Sequence, residues 1–231
     1  MPWQKELLHL GEASYRAFYI RLLPGFPEDR IIGVRMPRLR AYAKEMEKRG
    51  LREDFLKHLP HDFYEENLLH DIFLSGEKDV ERVFTRVDAF LPYVDNWAVC
   101  DSLRPRIFSR HHAELLPWVE KWMASEKPFV CRFGVEMLML HFLGEDFQAS
   151  MPQRVAGIRS KCYYVNMIVA WYFATALALR EESVWEYFEG DAMDPVCRGL
   201  AIRKALESRR CTAAQKKRLR ALKNRDFAQN G

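Results

Sequence analysis

The sequence predicts an all-α protein composed of helical pairs, and three observations support this fold class. Apolar residues recur at intervals of three and four along almost the whole chain, as expected for helices that bury one face. No segment alternates apolar and polar residues convincingly, and no Asn-Gly or Asp-Gly turn joins two such segments. The helical segments are separated by short breaks such as LPHD, SGEKD, ASEKP and GDAMDP. Connections of that length suit antiparallel helical pairs.

The predicted helices follow one another from the N-terminus. The segment MPRLRAYAKEMEKRG has Pro37 in its first turn and Gly50 at its end, the usual residues for the two ends of a helix. The later segments share its spacing: FYEENLLHDIFLSG, DVERVFTRVDAFL, ELLPWVEKWMAS, PFVCRFGVEMLMLHFLG, YYVNMIVAWYFATALAL and PVCRGLAIRKALES. The pattern predicts about a dozen helices of roughly 8–18 residues. Because no long linker interrupts them, residues 1–231 are expected to form one domain.

A string of helical pairs without a strict sequence repeat indicates an α-solenoid of HEAT-like type, with repeats of about forty residues. A compact irregular helical bundle is the alternative. A solenoid curves, and its concave face can hold an extended partner.

Composition excludes several classes of protein. The five cysteines are odd in number and widely spaced, without a C-x-x-C pair, which argues against a disulfide framework and a zinc site and favours buried free thiols. No nucleotide-binding or metalloprotease motif is present, and the adjacent pair His111-His112 suits a helix start, so we expect no cofactor and no metal. Polar residues interrupt every long apolar stretch and the N-terminal segment, which favours a cytoplasmic protein without a membrane span.

Charge is concentrated near the C-terminus. The net charge is +4, but residues 198–231 hold eleven Lys and Arg residues against Glu207 and Asp226, a local balance of +9. The preceding 197 residues therefore sum to −5. A basic block such as QKKRLRALKNR suits a phosphate backbone, although a solvated terminal helix has the same composition.

Four residues are candidates for a catalytic or binding site. In VDNWAVCDS, Trp97 and Asp101 are four residues apart and so share one helical face. An aromatic ring beside a carboxylate suits chemistry on a cation, but a buried Trp beside a surface Asp gives the same pattern. Arg132 enters an apolar helix, where it could pair with Glu136 or grip a phosphate or carboxylate. Trp171, with Tyr163 and Tyr164 before it, could belong to the core or to a stacking surface.

Four segments in order carry a resemblance to a known family. They are IIGVRMPRLRAYAKEM (residues 31–46), DNWAVCD, SEKPFVCRFGVEMLML, and YYVNMIVAWYFATA followed by VWEYFEGDAMDPVCRGLAIRKALES. Together they make the chain similar to the DNA alkylation repair family of AlkD-like DNA glycosylases, which are built from HEAT-like repeats. The sequence departs from that family's pattern at Phe129 and Cys131, which flank Arg132, and at Ala98, which follows Trp97.

The resemblance implies a monofunctional glycosylase that removes cationic alkylated purines (7-methylguanine or 3-methyladenine type) from double-stranded DNA on the concave face of the solenoid. It implies that the catalytic residues are Asp101, Trp97, Trp171 and Arg132. The residues expected to contact DNA are Arg35, Arg38, Tyr163, Tyr164, Arg198, Arg203 and Lys204. The protein is expected to be a monomer. A non-catalytic binder of damaged or branched DNA, or a protein–protein scaffold, are the competing hypotheses.

Overall fold

The computed structural model describes the backbone of residues 1–229 and the side chains of residues 1–223. Throughout this described part every regular element is a helix, which confirms the predicted all-α class. The contacts divide the chain into two compact units, one from Met1 to His111 and one that begins at His112. A single domain over residues 1–231 stays a prediction, and residues 230 and 231 lie outside the described part.

The first unit is organised around one central helix, α5. Its helices are α1 (Pro2–His9), α2 (Ala13–Leu22), α3 (Met36–Lys48), α4 (Arg52–Lys57), α5 (Tyr64–Ser75), α6 (Val80–Phe90) and α7 (Trp97–Ser102), with 3-10 turns at Glu28–Arg30, Leu91–Tyr93 and Arg106–Arg110. The α5 helix packs against α3, α4, α6 and α7. Being enclosed by neighbours, α5 buries polar residues as well as apolar ones.

One of the buried acids on α5 holds the segment before α3. Glu65 accepts hydrogen bonds from the backbone N–H groups of Ile32, Gly33 and Val34, at 2.9, 2.6 and 3.2 Å. Gly33 has a φ of +93°, and a Cβ atom there would lie 2.6 Å from the Glu12 carbonyl oxygen. Only glycine fits this position without strain. The buried carboxylate therefore fixes the start of α3 by satisfying three N–H groups that would otherwise lack partners.

The second unit contains longer helices that pack in sequence. They are α8 (His112–Met123), α9 (Pro128–His141), α10 (Ser150–Ala156), α11 (Tyr163–Leu179), α12 (Glu181–Val184), α13 (Glu186–Glu189), α14 (Pro195–Glu207) and α15 (Ala213–Gln229). The α8 helix packs on α9, α9 on α11, α11 on α14, and α14 on α15. This stepwise packing of helices along the chain is the pattern of an α-solenoid. The α11 helix lies between α9 and α14, which explains why it is apolar on most sides.

The α8 and α9 helices of the second unit approach each other closely at Gly134. A Cβ atom on Gly134 would lie 2.6 Å from the backbone nitrogen of Met123, well inside van der Waals contact. Glycine at this position therefore allows the two helix backbones to meet.

The sequence predicted the long helices better than the short ones. The α3 helix begins and ends as Pro37 and Gly50 indicated, and His112 begins α8. However, α4, α7, α12 and α13 have only four to six residues, shorter than predicted. All five cysteines are free thiols, and four of them are buried, as expected. Within the described residues, none of the helices combines the length and apolar character needed to span a bilayer.

Candidate active site and DNA-contacting residues

The pair Trp97 and Asp101 lies on α7, a short helix with a defined start. Asn96 caps the helix, because its Oδ1 accepts a hydrogen bond from the Val99 N–H at 3.0 Å. Trp97 is the first residue of the helix and Asp101 is one turn further along. Both side chains are half-buried, whereas Val99 and Cys100 between them are fully buried. The helix thus buries one face and leaves its tryptophan and its carboxylate partly accessible.

The C-terminal end of α7 is tied to α5. The Ser102 hydroxyl contacts the carboxylate of Asp71, which is 2 % exposed, and also lies 3.1 Å from the Val99 carbonyl. Beyond the helix, Arg104 Nε donates to the backbone carbonyl of Asp101 at 3.0 Å. Together with the Asn96 cap, these contacts fix both ends of the helix that carries Trp97 and Asp101. Sequence reasoning missed Asp71 and Ser102, since a lone Ser and Asp in helical segments give no distinctive signal.

Arg132 lies on α9 and is buried, with 5 % of its surface exposed. Its Nη1 donates a hydrogen bond of 2.8 Å to the backbone carbonyl of Tyr164, in the first turn of α11. Glu136, one helical turn further along α9, is fully buried. Both side chains are therefore buried, unlike the exposed i, i+4 pairs on a helix surface that contribute a few tenths of a kcal/mol.

Aromatic residues of α11 reach the surface of the second unit. Trp171 is 36 % exposed and Tyr163 is 60 % exposed, while Tyr164 is half-buried and lies 5.7 Å from the Phe129 ring. Lys204 of α14 places its Nζ 5.8 Å from the centre of the Trp171 ring. The core interpretation of Trp171 is therefore wrong, and its ring is available for stacking.

Two of the predicted DNA contacts share one carboxylate in the first unit. Arg35 and Arg38 form ion pairs with Glu12 at 2.9 and 3.3 Å, and both remain about half exposed. The Arg35 guanidinium also lies 4.7 Å from the centre of the Tyr15 ring. A single carboxylate neutralises only one of the two positive charges, so the pair stays net positive.

The remaining predicted contacts lie on α14 in the second unit. Arg203 is exposed, and Arg198 and Lys204 are half-buried. Asp194 caps this helix, accepting from the N–H groups of Val196 and Cys197 at 2.9 and 3.4 Å. The cap fixes the start of the helix that carries these cations.

Each compact unit therefore brings part of the predicted site together. Trp97 and Asp101 share α7 in the first unit. In the second, Arg132 contacts the Tyr164 carbonyl and Lys204 lies beside Trp171. A cavity of about 590 Å³ between α8, α9, α10 and α11 is lined by other residues, such as Met123, Cys131 and Met151. The candidate residues are not among those that line this cavity.

Thiol chemistry does not fit three of the described cysteines, Cys131, Cys197 and Cys211. Burial raises the pKa of Cys131 and of Cys197 to about 11 in each case, and raises the pKa of Cys211 as well. These thiols stay protonated near neutral pH and are poor nucleophiles. A carboxylate with flanking aromatic and basic groups is the chemistry that the candidate residues offer.

These features define an all-helical protein of stepwise-packed helices whose surfaces present a carboxylate, tryptophans and arginines suited to nucleic acid. A family model described as DNA alkylation repair enzyme matches residues 3–207, and the chain belongs to that family. No curated protein matches the sequence. Membership assigns the protein a role in DNA alkylation repair, with DNA as its partner. The match ends before α15, which begins at Ala213.

Proposed function

We propose that the protein is a monofunctional DNA glycosylase that hydrolyses the N-glycosidic bond of cationic alkylated purines in duplex DNA and leaves an abasic site. The observation that carries the proposal is α7, a capped and anchored helix that leaves Asp101 partly accessible one turn from Trp97. Family membership supplies the DNA repair context for this arrangement.

The reaction needs a carboxylate but not a second acid. Cleavage of the glycosidic bond builds positive charge on the deoxyribose as the base departs, and most glycosidases must also protonate the leaving group. A purine alkylated at N7 or N3 is already cationic and departs without a proton. A single carboxylate is then sufficient, and in the proposed mechanism Asp101 stabilises the oxocarbenium ion and orients the attacking water.

The two tryptophans suit a cationic substrate. The electron-rich faces of Trp97 and Trp171 attract positive charge, with contributions of about 0.5–2 kcal/mol for each contact. Both rings are partly accessible. We assign them to the sugar and to the cationic base, an assignment that favours intrinsically labile lesions over neutral ones.

Arg132 and the surface cations complete the proposal. We assign Arg132 to a backbone phosphate near the lesion, in addition to its bond with the Tyr164 carbonyl, since a guanidinium offers five N–H donors. The proposed DNA contacts are Arg35, Arg38, Tyr163, Tyr164, Arg198, Arg203 and Lys204. The proposed catalytic set contains no lysine to form a Schiff base, and we therefore propose hydrolysis without strand cleavage.

The test is single-turnover incubation with duplex DNA that contains one 7-methylguanine. We expect release of free 7-methylguanine and strand breaks that appear only after alkali treatment. Strand breaks without alkali would contradict the monofunctional assignment. Tight binding without any base release would instead support the alternative, a non-catalytic binder of damaged or branched DNA.

A further inference from the structure

We propose that α15 is a lesion-independent binding surface for the phosphate backbone of duplex DNA, formed by Lys216, Lys217, Arg220 and Lys223. The helix lies beyond residue 207, where the family match ends. The proposal goes beyond the glycosylase activity, because it requires none of the proposed catalytic residues and concerns undamaged DNA.

One face of α15 is docked on the second unit. Gln215, Leu219 and Leu222, at positions i, i+4 and i+7, are buried. Gln215 Nε2 donates hydrogen bonds of 2.9 Å to the Leu177 carbonyl and to a carboxylate oxygen of Glu181. The helix therefore has a fixed orientation, and its other side chains among residues 213–223 are half-buried or exposed.

A row of cations follows the docked face. Lys216, Arg220 and Lys223 also stand at i, i+4 and i+7, so they share one side of the helix. Seven residues at 1.5 Å each give the row a length of about 10 Å. Lys217 extends it toward the fully exposed side of the helix. Phosphates repeat about every 3.4 Å of axis along each strand, so a row of this length can reach several of them.

Arg218, which also lies on α15, differs from the four surface cations because its side chain has partners within the protein. It donates to Glu181 at 2.7 Å and lies 3.6 Å from the centre of the Trp185 ring. By contrast, no side chain of the four surface cations forms an ion pair or hydrogen bond with any residue whose side chain the structure describes. Their charges are thus uncompensated within that part of the protein.

The chemistry of the face favours a nucleic acid over a lipid surface. A helix that lies in a membrane interface exposes a large apolar face beside its cations. Here Leu219 and Leu222 face the protein, and α15 contributes no exposed large apolar side chain among residues 213–223. A row of cations on a docked helix, three exposed and Lys216 half-buried, without exposed apolar side chains beside them, fits a phosphate backbone.

The experiment compares two quadruple variants with matched charge changes. The first is Lys216→Gln, Lys217→Gln, Arg220→Gln and Lys223→Gln. The control is Arg40→Gln, Lys44→Gln, Lys48→Gln and Lys57→Gln, which removes the same residue types from exposed positions of the first unit. Fluorescence anisotropy with an undamaged labelled duplex gives the slope of log K against log salt. Each lost phosphate contact reduces the magnitude of this slope by about 0.9, so the α15 variant, with four cations removed, should lose up to about 3.6 and the control much less.

Several outcomes would overturn the proposal. They are an unchanged slope in the α15 variant, an equal loss in the control, and lost binding to anionic phosphatidylserine vesicles with DNA binding intact. A thermal midpoint equal to wild type establishes that the α15 variant is folded. The single-turnover excision rate at saturating DNA should not change in that variant. Since undamaged DNA is the ligand, this test stands even where the excision experiment fails.

Discussion

Arg132 and Tyr164 join two helices of the second unit through one hydrogen bond. The Arg132 guanidinium on α9 donates to the Tyr164 carbonyl at the start of α11, 2.8 Å away, and Arg132 is almost completely buried. The same α11 helix carries Tyr163 and Trp171 at the surface. The buried Arg132 side chain therefore holds the start of the helix that carries these two aromatic residues. Any contact that Arg132 makes with a DNA phosphate is additional to this structural role.

Replacing Arg132 by alanine should reduce both stability and DNA affinity. The Tyr164 carbonyl would lose a partner, and Glu136 would remain buried one turn away. An unsatisfied buried group costs about 1–3 kcal/mol, and more where it is charged. Urea denaturation and DNA binding at a temperature well below the melting midpoint measure the two effects separately. Arg132→Lys is the matched control, because it keeps the charge but loses the planar fork. Wild-type stability in Arg132→Ala would contradict the positioning role.

Substitutions at two separate glycines, Gly134 and Gly199, test the helix packing of the second unit. Gly134→Ala would place a Cβ atom 2.6 Å from the Met123 backbone nitrogen, so α8 and α9 must move apart. Such overpacking costs about 1–3 kcal/mol in the free energy of unfolding. Gly199, inside α14, has open space around it, and Gly199→Ala should stabilise by up to about 1 kcal/mol. Denaturant titrations of both variants check the opposite signs. Equal effects would show that α8 and α9 tolerate separation.

A buried histidine pair predicts acid sensitivity of the first unit. His61 Nε2 and His70 Nδ1 share a hydrogen bond of 2.8 Å, and both rings are buried. Burial lowers the pKa of His61 from 6.5 to about 4 and lowers the pKa of His70 well below 6.5. Between these values the unfolded state binds more protons, so stability falls as the pH falls from about 6.5 to 4. His61 alone accounts for about 3 kcal/mol of this loss.

The measurement is the free energy of unfolding at pH 7.5 and pH 5 in wild type, His61→Gln and His9→Gln. His61→Gln should flatten the pH dependence, whereas His9→Gln, at an exposed position, should preserve it. A wild-type pH dependence in His61→Gln would assign the acid sensitivity to other groups.

The fold class could be predicted from the sequence, because a helix that buries one face has apolar residues at intervals of three and four. Pro37 and Gly50 bounded α3 correctly for the same reason, since the end residues of helices have specific backbone demands. The buried acids of α5 could not be predicted from the sequence. Glu65 looks like a surface residue until its three backbone partners are known.

The candidate site could be predicted only in part from the sequence. The spacing of Trp97 and Asp101 placed them on one face, and α7 has that geometry. The apolar surroundings of Trp171 suggested the core, yet the ring is exposed, because α11 is enclosed by α9 and α14 on only part of its circumference. Contacts between helices distant in sequence, such as Arg132 with the Tyr164 carbonyl, leave no periodic signal.

The prediction that is easiest to refute concerns the proposed catalytic role of Asp101. Asp101→Asn preserves the size of the side chain and most of its hydrogen bonding but removes the charge that opposes the oxocarbenium ion. Loss of a preorganised electrostatic contact typically lowers the rate about 10²–10³-fold, or about 3–4 kcal/mol. We therefore expect single-turnover release of 7-methylguanine to fall by that factor, while binding to the duplex persists.

The control for Asp101→Asn is Asp54→Asn, which makes the same chemical change at an exposed position of α4. The Asp54 variant should excise at the wild-type rate. Thermal midpoints are measured on all three proteins, because Asp101 lies near the end of α7 and could act only on the stability of that helix. In that case Asp101→Asn would melt earlier than wild type but release the base normally at a permissive temperature, and the catalytic assignment would be lost. Reduced base release at an unchanged midpoint, with Asp54→Asn fully active, would support Asp101 as the group that stabilises the transition state.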